Sequence, residues 1–249
     1  DWAAADGIVM AVNAEGADLP TDRNQLLGSN LGILTKVLTN VKAYVNARTR
    51  ILVITNPVDS IALFTQRFLG LPAKQVIGSG TLLDSSRFRF GLAKRLGISA
   101  KDILAYVIGE HGNSEVPVFS SARIGGLGLD DYLKENHLTL DRKELIDEVV
   151  RGGFTVASGK GCTNYAIALS ATEIIKTLLD GKPRIFPVSS SMKDYAPVSS
   201  DIYLSLPTLV SYAGVERIVG ISTDREEAVA FKASVAVLER MRETVAEKF

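Results

Sequence analysis

The first 80 residues alternate short, continuous apolar runs with longer segments in which apolar residues recur every three or four positions. The continuous runs, residues 7–12, 51–54 and 75–78, predict buried strands. The periodic segments predict two helices, the first of which begins at Thr21 or Asp22. Their apolar faces comprise Leu27, Leu31, Leu34, Leu38, Val41 and Val45 in the first helix and Ile61, Phe64 and Phe68 in the second. Continuous apolar strands that alternate with helices indicate a parallel sheet covered on both faces.

Beyond residue 80 the pattern changes to a mixture of helices and short strands. It predicts a helix over 83–96 and two helices within 142–180. The strands predicted in this half are residues 103–108, 116–119, 120–124, 184–188 and 201–206. A closing helix begins with a capping box formed by Thr223 and Glu226. The whole pattern predicts an α/β protein, with a parallel sheet first and a mixed α+β region after a boundary near residues 78–83.

Composition and charge narrow the class of protein. The 249 residues include 28 basic and 28 acidic side chains, so the formal net charge is zero and no basic surplus is available for nucleic-acid phosphates. No stretch approaches the roughly 20 apolar residues of a membrane helix. The one cysteine, Cys162, and two histidines are too few for a structural zinc site. We therefore predict a cytoplasmic protein without a metal, nucleic-acid or membrane partner.

Three polar side chains beyond residue 80 could carry chemistry. His111 follows an apolar strand and has a glycine on each side, at the kind of strand end where α/β proteins place their sites. Asp84, in the first turn of a helix, could orient an imidazole, and Arg87 could bind a carboxylate with two parallel hydrogen bonds. Each also has an ordinary alternative: a turn histidine, a carboxylate that complements the helix dipole, and a surface arginine.

Two further candidates lie in the first half. Arg23 stands at a helix start, where a cation opposes the helix dipole; this suits a loop that delivers positive charge to a substrate, and it also suits an exposed surface. Asn56 ends a buried strand and offers an amide to a carbonyl or carboxamide, although asparagine before proline is also an ordinary turn. Residues 78–83 begin like a dinucleotide fingerprint but lack its third glycine, so they are not interpreted as a phosphate loop.

Four motifs taken together resemble the L-lactate/malate dehydrogenase family. They are TNPVD at 55–59, LDSSRFR at 83–89, GEHGNS at 109–114 and KGCTNYAI at 160–167. Their order and spacing extend over nearly the whole chain, and within the family the chain looks most like the L-2-hydroxyisocaproate dehydrogenase branch. The resemblance implies a partial Rossmann-type NAD-binding domain in residues 1–79 and a mixed α+β substrate domain in residues 80–249.

The resemblance also implies an activity, the interconversion of L-2-hydroxy acids and 2-keto acids by hydride transfer with NAD. His111 would exchange the proton, Asp84 would stabilise its imidazolium form, and Arg23 would polarise the substrate carbonyl. The implied substrate-binding residues are Arg87, Asn56 and Thr163, and those implied to contact NAD are Val12, Asn13, Ile54, Asn56 and Ile167. The resemblance also implies that the protein forms a homodimer or a homotetramer.

Three features depart from the family pattern. The glycine fingerprint of the nucleotide-binding half is absent, and the chain opens without Met just before a strand, so we expect a fragment that lacks about 60–70 residues. Residues 17–19 offer no arginine for a second substrate carboxylate, which disfavours malate. Leu104 stands where sugar-bisphosphate-activated relatives place a histidine beside an arginine like Arg89, so such activation is not expected. Malate dehydrogenase and a catalytically inert oligomerising fragment stay as alternatives.

Overall fold

The computed structural model describes residues 5–13 and 26–248, without the side chain of Lys160. Its helices are α1 (Leu27–Val41), α2 (Val58–Leu69), α3 (Leu82–Leu96), α4 (Leu129–Glu135), α5 (Arg142–Lys160), α6 (Tyr165–Asp180) and α7 (Arg225–Ala246). Its strands are β1 (Gly7–Met10), β2 (Arg50–Val53), β3 (Val76–Gly78), β4 (Ile103–Leu104), β5 (Val107–Ile108), β6 (Val116–Pro117), β7 (Arg123–Ile124), β8 (Leu127–Gly128), β9 (Arg184–Ser191), β10 (Tyr203–Ser211) and β11 (Gly214–Ile218).

The main sheet contains six strands in the order β1-β2-β3-β9-β10-β11. Strands β1, β2 and β3 are parallel, which confirms the parallel sheet predicted for the first 80 residues. Strands β9, β10 and β11 are antiparallel to their neighbours and extend the same sheet, joining it where Gly78 meets Ser189. A Cβ at Gly78 would lie 2.8 Å from the Cβ of Ser189, so glycine permits this close junction.

Helices cover both faces of the sheet, and this explains why its strands are continuously apolar. On one face, Ile51 and Val53 of β2 pack with the buried sides of α1 and α2. On the other face, Leu52 packs with Ala171 and Ile174 of α6. A strand buried on both faces has no solvent-facing position to alternate with its core positions.

A second apolar core lies between α3, α5 and the small sheet β4-β7-β8. Phe88 and Leu92 of α3 pack there with Phe119 and with Leu145 of α5. Gly91 brings the two helices together, because a Cβ at that position would lie 2.3 Å from a methyl carbon of Leu145. This core fixes the first turns of α3, where Asp84 and Arg87 lie.

The strand predicted over residues 103–108 was wrong. The segment divides into β4 and β5, which belong to different sheets. Two hydroxyl groups at the start of α3 explain the break. The Oγ of Ser85 accepts a hydrogen bond of 2.8 Å from the N–H of Val107, and the hydroxyl of Thr81, the N-cap residue of α3, donates a hydrogen bond of 2.6 Å to the Val107 carbonyl. Hydrogen bonds to α3 therefore replace those of a continuous strand.

Other element ends also differ from the prediction. Only β6 and β7 form within residues 116–124, because the N–H groups of Phe119 and Ser120 donate to the Glu227 carboxylate instead of to a strand. The capping box of α7 is formed by Asp224 and Glu227, one residue after the predicted pair. The strand predicted at 201–206 is β10, which begins two residues later and runs to residue 211. Helix α1 ends before Val45, and its predicted start at residues 21–22 lies outside the described residues.

Two glycines with positive φ should respond differently to alanine. Gly70 ends α2 at φ +67° with nothing within 4 Å of an added Cβ, whereas a Cβ at Gly214 (φ +95°) would lie 2.0 Å from the carbonyl oxygen of Lys74. Gly70→Ala should lower the free energy of unfolding by about 1 kcal/mol, the cost of the left-handed conformation. Gly214→Ala should lower it at least twice as much, because the backbone must also move. Urea unfolding measures both values, and equal losses would contradict the close approach at Gly214.

Candidate active site

The carboxylate of Asp84 lies between an imidazole and a guanidinium. Its Oδ2 is 2.6 Å from Nδ1 of His111, and its Oδ1 accepts a hydrogen bond of 2.6 Å from Nη1 of Arg87. The Asp84 side chain is 1% exposed, and those of His111 and Arg87 are 11% and 19% exposed. Because Nδ1 is engaged by the carboxylate, proton exchange between His111 and a substrate would use Nε2. The structure thus brings together three of the residues singled out from the sequence.

The local sequence explains how these side chains meet. Asp84 and Arg87 are three residues apart on α3, so they lie on the same face of the helix. Arg87 crosses α5 at Gly152, where a Cβ would lie 2.9 Å from the Arg87 Cδ. Arg87 also lines a cavity of about 510 Å³ between α3 and α5, whose apolar lining includes Phe90 and Val149.

The loop that carries His111 is held from two sides of the molecule. The N–H of Gly109 donates to the carbonyl of Ser205 in β10 at 2.9 Å. The N–H of His111 donates to Oδ2 of Asp59 in α2 at 2.8 Å. Gly109 adopts φ +94°, a conformation that glycine reaches without strain, and this lets the chain turn directly after β5.

Asp59 is a buried carboxyl in contact with this loop, and its role was not predicted from the sequence. It accepts the His111 N–H and a hydrogen bond of 2.5 Å from the Ser189 hydroxyl. Burial raises its pKa from 3.8 to about 7, and the neighbouring charges of Glu110 and Asp84 add to this effect, while the two hydrogen bonds oppose it. In the sequence, Asp59 is an acidic residue in the first turn of α2, where such a residue ordinarily complements the helix dipole.

A second residue missed from the sequence, Glu115, lies beside the Asp84 group. Ligand atoms of Asp84, His111 and Glu115 are within 4.8 Å of one another, a spacing that could accommodate a metal ion. Arg87 already supplies a positive charge to Asp84, and this charge would oppose a cation at the same carboxylate. The geometry therefore favours proton chemistry at His111 over metal binding.

A second group of polar side chains lies at the carboxyl ends of β1 and β2. In α/β proteins, ligands bind at this end of the strands. Asn30 is fully buried, and its Nδ2 donates to Oδ1 of Asn13 at 3.1 Å and to the carbonyl of Asn56 at 2.7 Å. Oδ1 of Asn56 is buried without a hydrogen-bond partner among the described residues. An acceptor of this kind fits the carboxamide of a nicotinamide. Val12 and Ile54, both half-buried, follow the same two strands.

The remaining predicted site residues are Arg23, Thr163 and Ile167. Arg23 lies outside the described residues. Thr163 is exposed before α6, and Ile167 is half-buried in its first turn. Within the described part of the chain no hydrogen bond joins either residue to His111, so their roles stay predictions.

Comparison with known proteins places this geometry in a family. The profile of the lactate/malate dehydrogenase NAD-binding domain matches residues 7–78, and that of the α/β C-terminal domain matches residues 81–249. The chain belongs to the lactate/malate dehydrogenase family. It is 37% identical over 248 residues to an L-lactate dehydrogenase of Bifidobacterium animalis subsp. lactis, covering 97% of this chain and 76% of the relative. An L-lactate dehydrogenase of Clostridium botulinum (strain 657 / Type Ba4) is 34% identical, covering 92% of this chain and 72% of the relative.

Solved structures of family members have the same fold. The L-lactate dehydrogenase of Clostridium thermocellum superposes with a TM-score of 0.83 at 34% identity, covering 96% of this chain and 77% of that protein. The minor L-lactate dehydrogenase of Enterococcus mundtii gives 0.88 at 30% identity, covering 98% and 77%. The lactate/malate dehydrogenase assignment, its α/β fold and NAD as its cofactor, all expected from the motifs, are confirmed. Among the described residues no helix is long and apolar enough to cross a membrane.

The raised pKa of Asp59 should be visible in the pH dependence of stability. Between about pH 4 and 7 the unfolded chain loses the proton of residue 59 while the folded protein keeps it, so the free energy of unfolding falls as pH rises. The slope from this one group is at most about 1.4 kcal/mol per pH unit. Asp59→Asn cannot titrate and serves as the reference.

The advantage of the parent over Asp59→Asn in urea unfolding should therefore decline from pH 4 to 7 and stay constant above pH 7. An advantage that stays constant from pH 4 to 7 would mean that the pKa of the folded carboxyl is not raised, and it would contradict the prediction.

Proposed function

We propose that the chain carries the catalytic site of an NAD-dependent L-lactate-type dehydrogenase that interconverts L-2-hydroxy acids and 2-keto acids. The observation that carries this proposal is the Asp84 carboxylate between His111 and Arg87. A 2-hydroxy acid needs a proton acceptor for its hydroxyl and a cation for its carboxylate, and these two groups lie side by side here. The relatives named L-lactate dehydrogenase support the same reaction class.

In this proposal His111 acts as the acid and base. During reduction its imidazolium donates a proton to the carbonyl oxygen of the keto acid, and during oxidation the neutral ring accepts the hydroxyl proton. The Asp84 carboxylate orients the ring through Nδ1 and stabilises the charged form by its negative charge. When NADH or NAD⁺ is bound, it supplies or accepts the hydride.

Arg87 binds the substrate carboxylate. Only Nη1 is used in the hydrogen bond to Asp84, and a guanidinium has five N–H donors, so the remaining donors can form a two-pronged contact. A substrate with an aliphatic side chain is proposed because residues 15–22 contain no cation for a second carboxylate and include the apolar Ala17 and Leu19. Arg23 would polarise the carbonyl, and Thr163 would line the substrate pocket.

The nicotinamide end of the cofactor would contact the polar group at the ends of β1 and β2. The unpartnered Oδ1 of Asn56 would accept its carboxamide N–H. The other residues proposed for cofactor contact are Val12, Asn13, Ile54 and Ile167. The 249 residues contain no glycine fingerprint for the pyrophosphate, and the chain spans about three quarters of the length of the relatives that it matches.

A homodimer or homotetramer is the proposed assembly. Tyr165, Leu169 and Leu179 on α6 are each more than 70% exposed, and large apolar side chains grouped on one helix are typical of a protein interface. The zero net charge favours a second copy of the chain over nucleic acid as the partner. The single free cysteine, Cys162, supports the cytoplasm as the compartment.

A substrate comparison tests the proposed function. On the protein expressed from its complete coding sequence, kcat/KM at saturating NADH should rank 2-ketoisocaproate above pyruvate and pyruvate above oxaloacetate. Each additional buried methylene contributes about 0.8 kcal/mol, whereas residues 17–19 offer no cation to a second carboxylate. A higher value for oxaloacetate would favour the malate dehydrogenase alternative.

His111→Asn is the matched control for the same assay. It should lower turnover by about 10²–10⁴-fold with NADH affinity nearly unchanged, since the imidazole serves proton transfer. A variant that keeps most of the activity would remove His111 from the mechanism. If the parent reduces none of the three keto acids, the result would favour the alternative of a catalytically inert oligomerising fragment.

A further inference from the structure

In the loop that carries His111, three consecutive backbone N–H groups donate hydrogen bonds to three different secondary-structure elements. Those of Gly109 and His111 donate to β10 and α2, as described above. The middle one, of Glu110, donates to the hydroxyl oxygen of Ser234 in α7 at 2.7 Å. Ser234 is fully buried and lies 124 positions from Glu110 in the sequence.

Polar side chains and a glycine surround the Ser234 hydroxyl. Its Oγ is also 3.2 Å from the hydroxyl of Ser114, which in turn bonds the carboxylate of Glu110. A Cβ at Gly109 would lie 2.5 Å from the same Oγ. Glycine at position 109 therefore serves two needs, the positive φ of the turn and the approach of the Ser234 hydroxyl.

Helix α7 holds the segment around the loop at two points. Glu227 accepts the N–H groups of Phe119 and Ser120, and Ser234 accepts that of Glu110. Residues 227 and 234 are seven positions apart, about two helical turns, so both side chains lie on one face of α7. The two contacts enclose the stretch from residue 110 to residue 120, which includes His111.

We propose that Ser234 is a positioning residue for His111, a role that rests on the proposed dehydrogenase function. Its hydroxyl fixes the backbone one residue before the histidine and so maintains the 2.6 Å contact between His111 Nδ1 and Asp84. Without this acceptor the buried N–H of Glu110 is left unsatisfied, and the loop must move to satisfy it. Displacements of about 1 Å lower rates by up to about 10²-fold, since reacting groups must meet in a narrow geometry.

The test compares Ser234→Ala and Ser234→Cys with the parent. Cysteine nearly preserves the volume of serine but is a weak acceptor, so it separates the hydrogen bond from packing. Ser190→Ala is the matched control, because Ser190 is equally buried and lies 3.5 Å from the Thr208 hydroxyl in the main sheet. For each variant, kcat with pyruvate is divided by the number of NADH-binding sites, which NADH fluorescence counts.

Ser234→Ala and Ser234→Cys should both lower kcat per site at least tenfold, with the NADH dissociation constant within twofold of the parent. The primary isotope effect with NADH deuterated at C4 should rise, since the chemical step becomes slower. Ser190→Ala should match the parent in all three values. A kcat per site within twofold of the parent in Ser234→Ala would overturn the proposal and leave Ser234 a purely structural residue.

A second readout does not depend on activity. The proton in the 2.6 Å contact between His111 and Asp84 should give a far-downfield NMR resonance, and the resonance lost in His111→Asn identifies it. This resonance should shift or broaden in Ser234→Ala and Ser234→Cys but not in Ser190→Ala. An unchanged resonance in both Ser234 variants would overturn the positioning role even if the parent proved inactive, whereas an inactive parent alone would contradict only the proposed function.

Discussion

The buried carboxylate of Asp84 is the interaction on which the site depends. A carboxylate with a 1% exposed side chain is unfavourable unless cations or donors compensate it, and here Arg87 and His111 both do so. When His111 is neutral, the charges of Asp84 and Arg87 cancel. When His111 is protonated, the three groups carry one net positive charge, which matches the single negative charge of a keto-acid carboxylate. In the proposed mechanism, proton uptake and substrate binding are thereby coupled through the Asp84 carboxylate.

This arrangement requires the complete fold, because its supports come from distant parts of the chain. Asp84 and Arg87 lie on α3, His111 follows β5, and the loop between β5 and β6 is held by Asp59 of α2 and by residues of β10 and α7. Asp59 is 52 positions from His111 in the sequence. Since such contacts form only when the main sheet has assembled, changes far from His111 in the sequence can act on its geometry.

The sequence predicts the parts of this site that local patterns encode. Continuous apolar runs predicted β1, β2 and β3, and the polar residues at helix starts and strand ends predicted Asp84, Arg87, His111 and Asn56. Asp59 and Ser234 were not predicted. A polar residue in a helix looks the same in the sequence whether its side chain is buried in a hydrogen bond or exposed to solvent. The break between β4 and β5 was missed because hydroxyl groups of α3, distant in sequence, replace the strand hydrogen bonds. The capping box was misplaced because Thr223 and Asp224 are both good N-cap residues.

The role of Asp84 is tested by kcat/KM for pyruvate reduction in Asp84→Asn at neutral pH. Asparagine keeps the shape of the side chain but removes the charge that stabilises the imidazolium and orients Arg87. We expect a loss of at least about 10²-fold at neutral pH, shared between kcat and KM, with an unchanged NADH dissociation constant. A value of kcat/KM within threefold of the parent would contradict the claim that one carboxylate serves both cations.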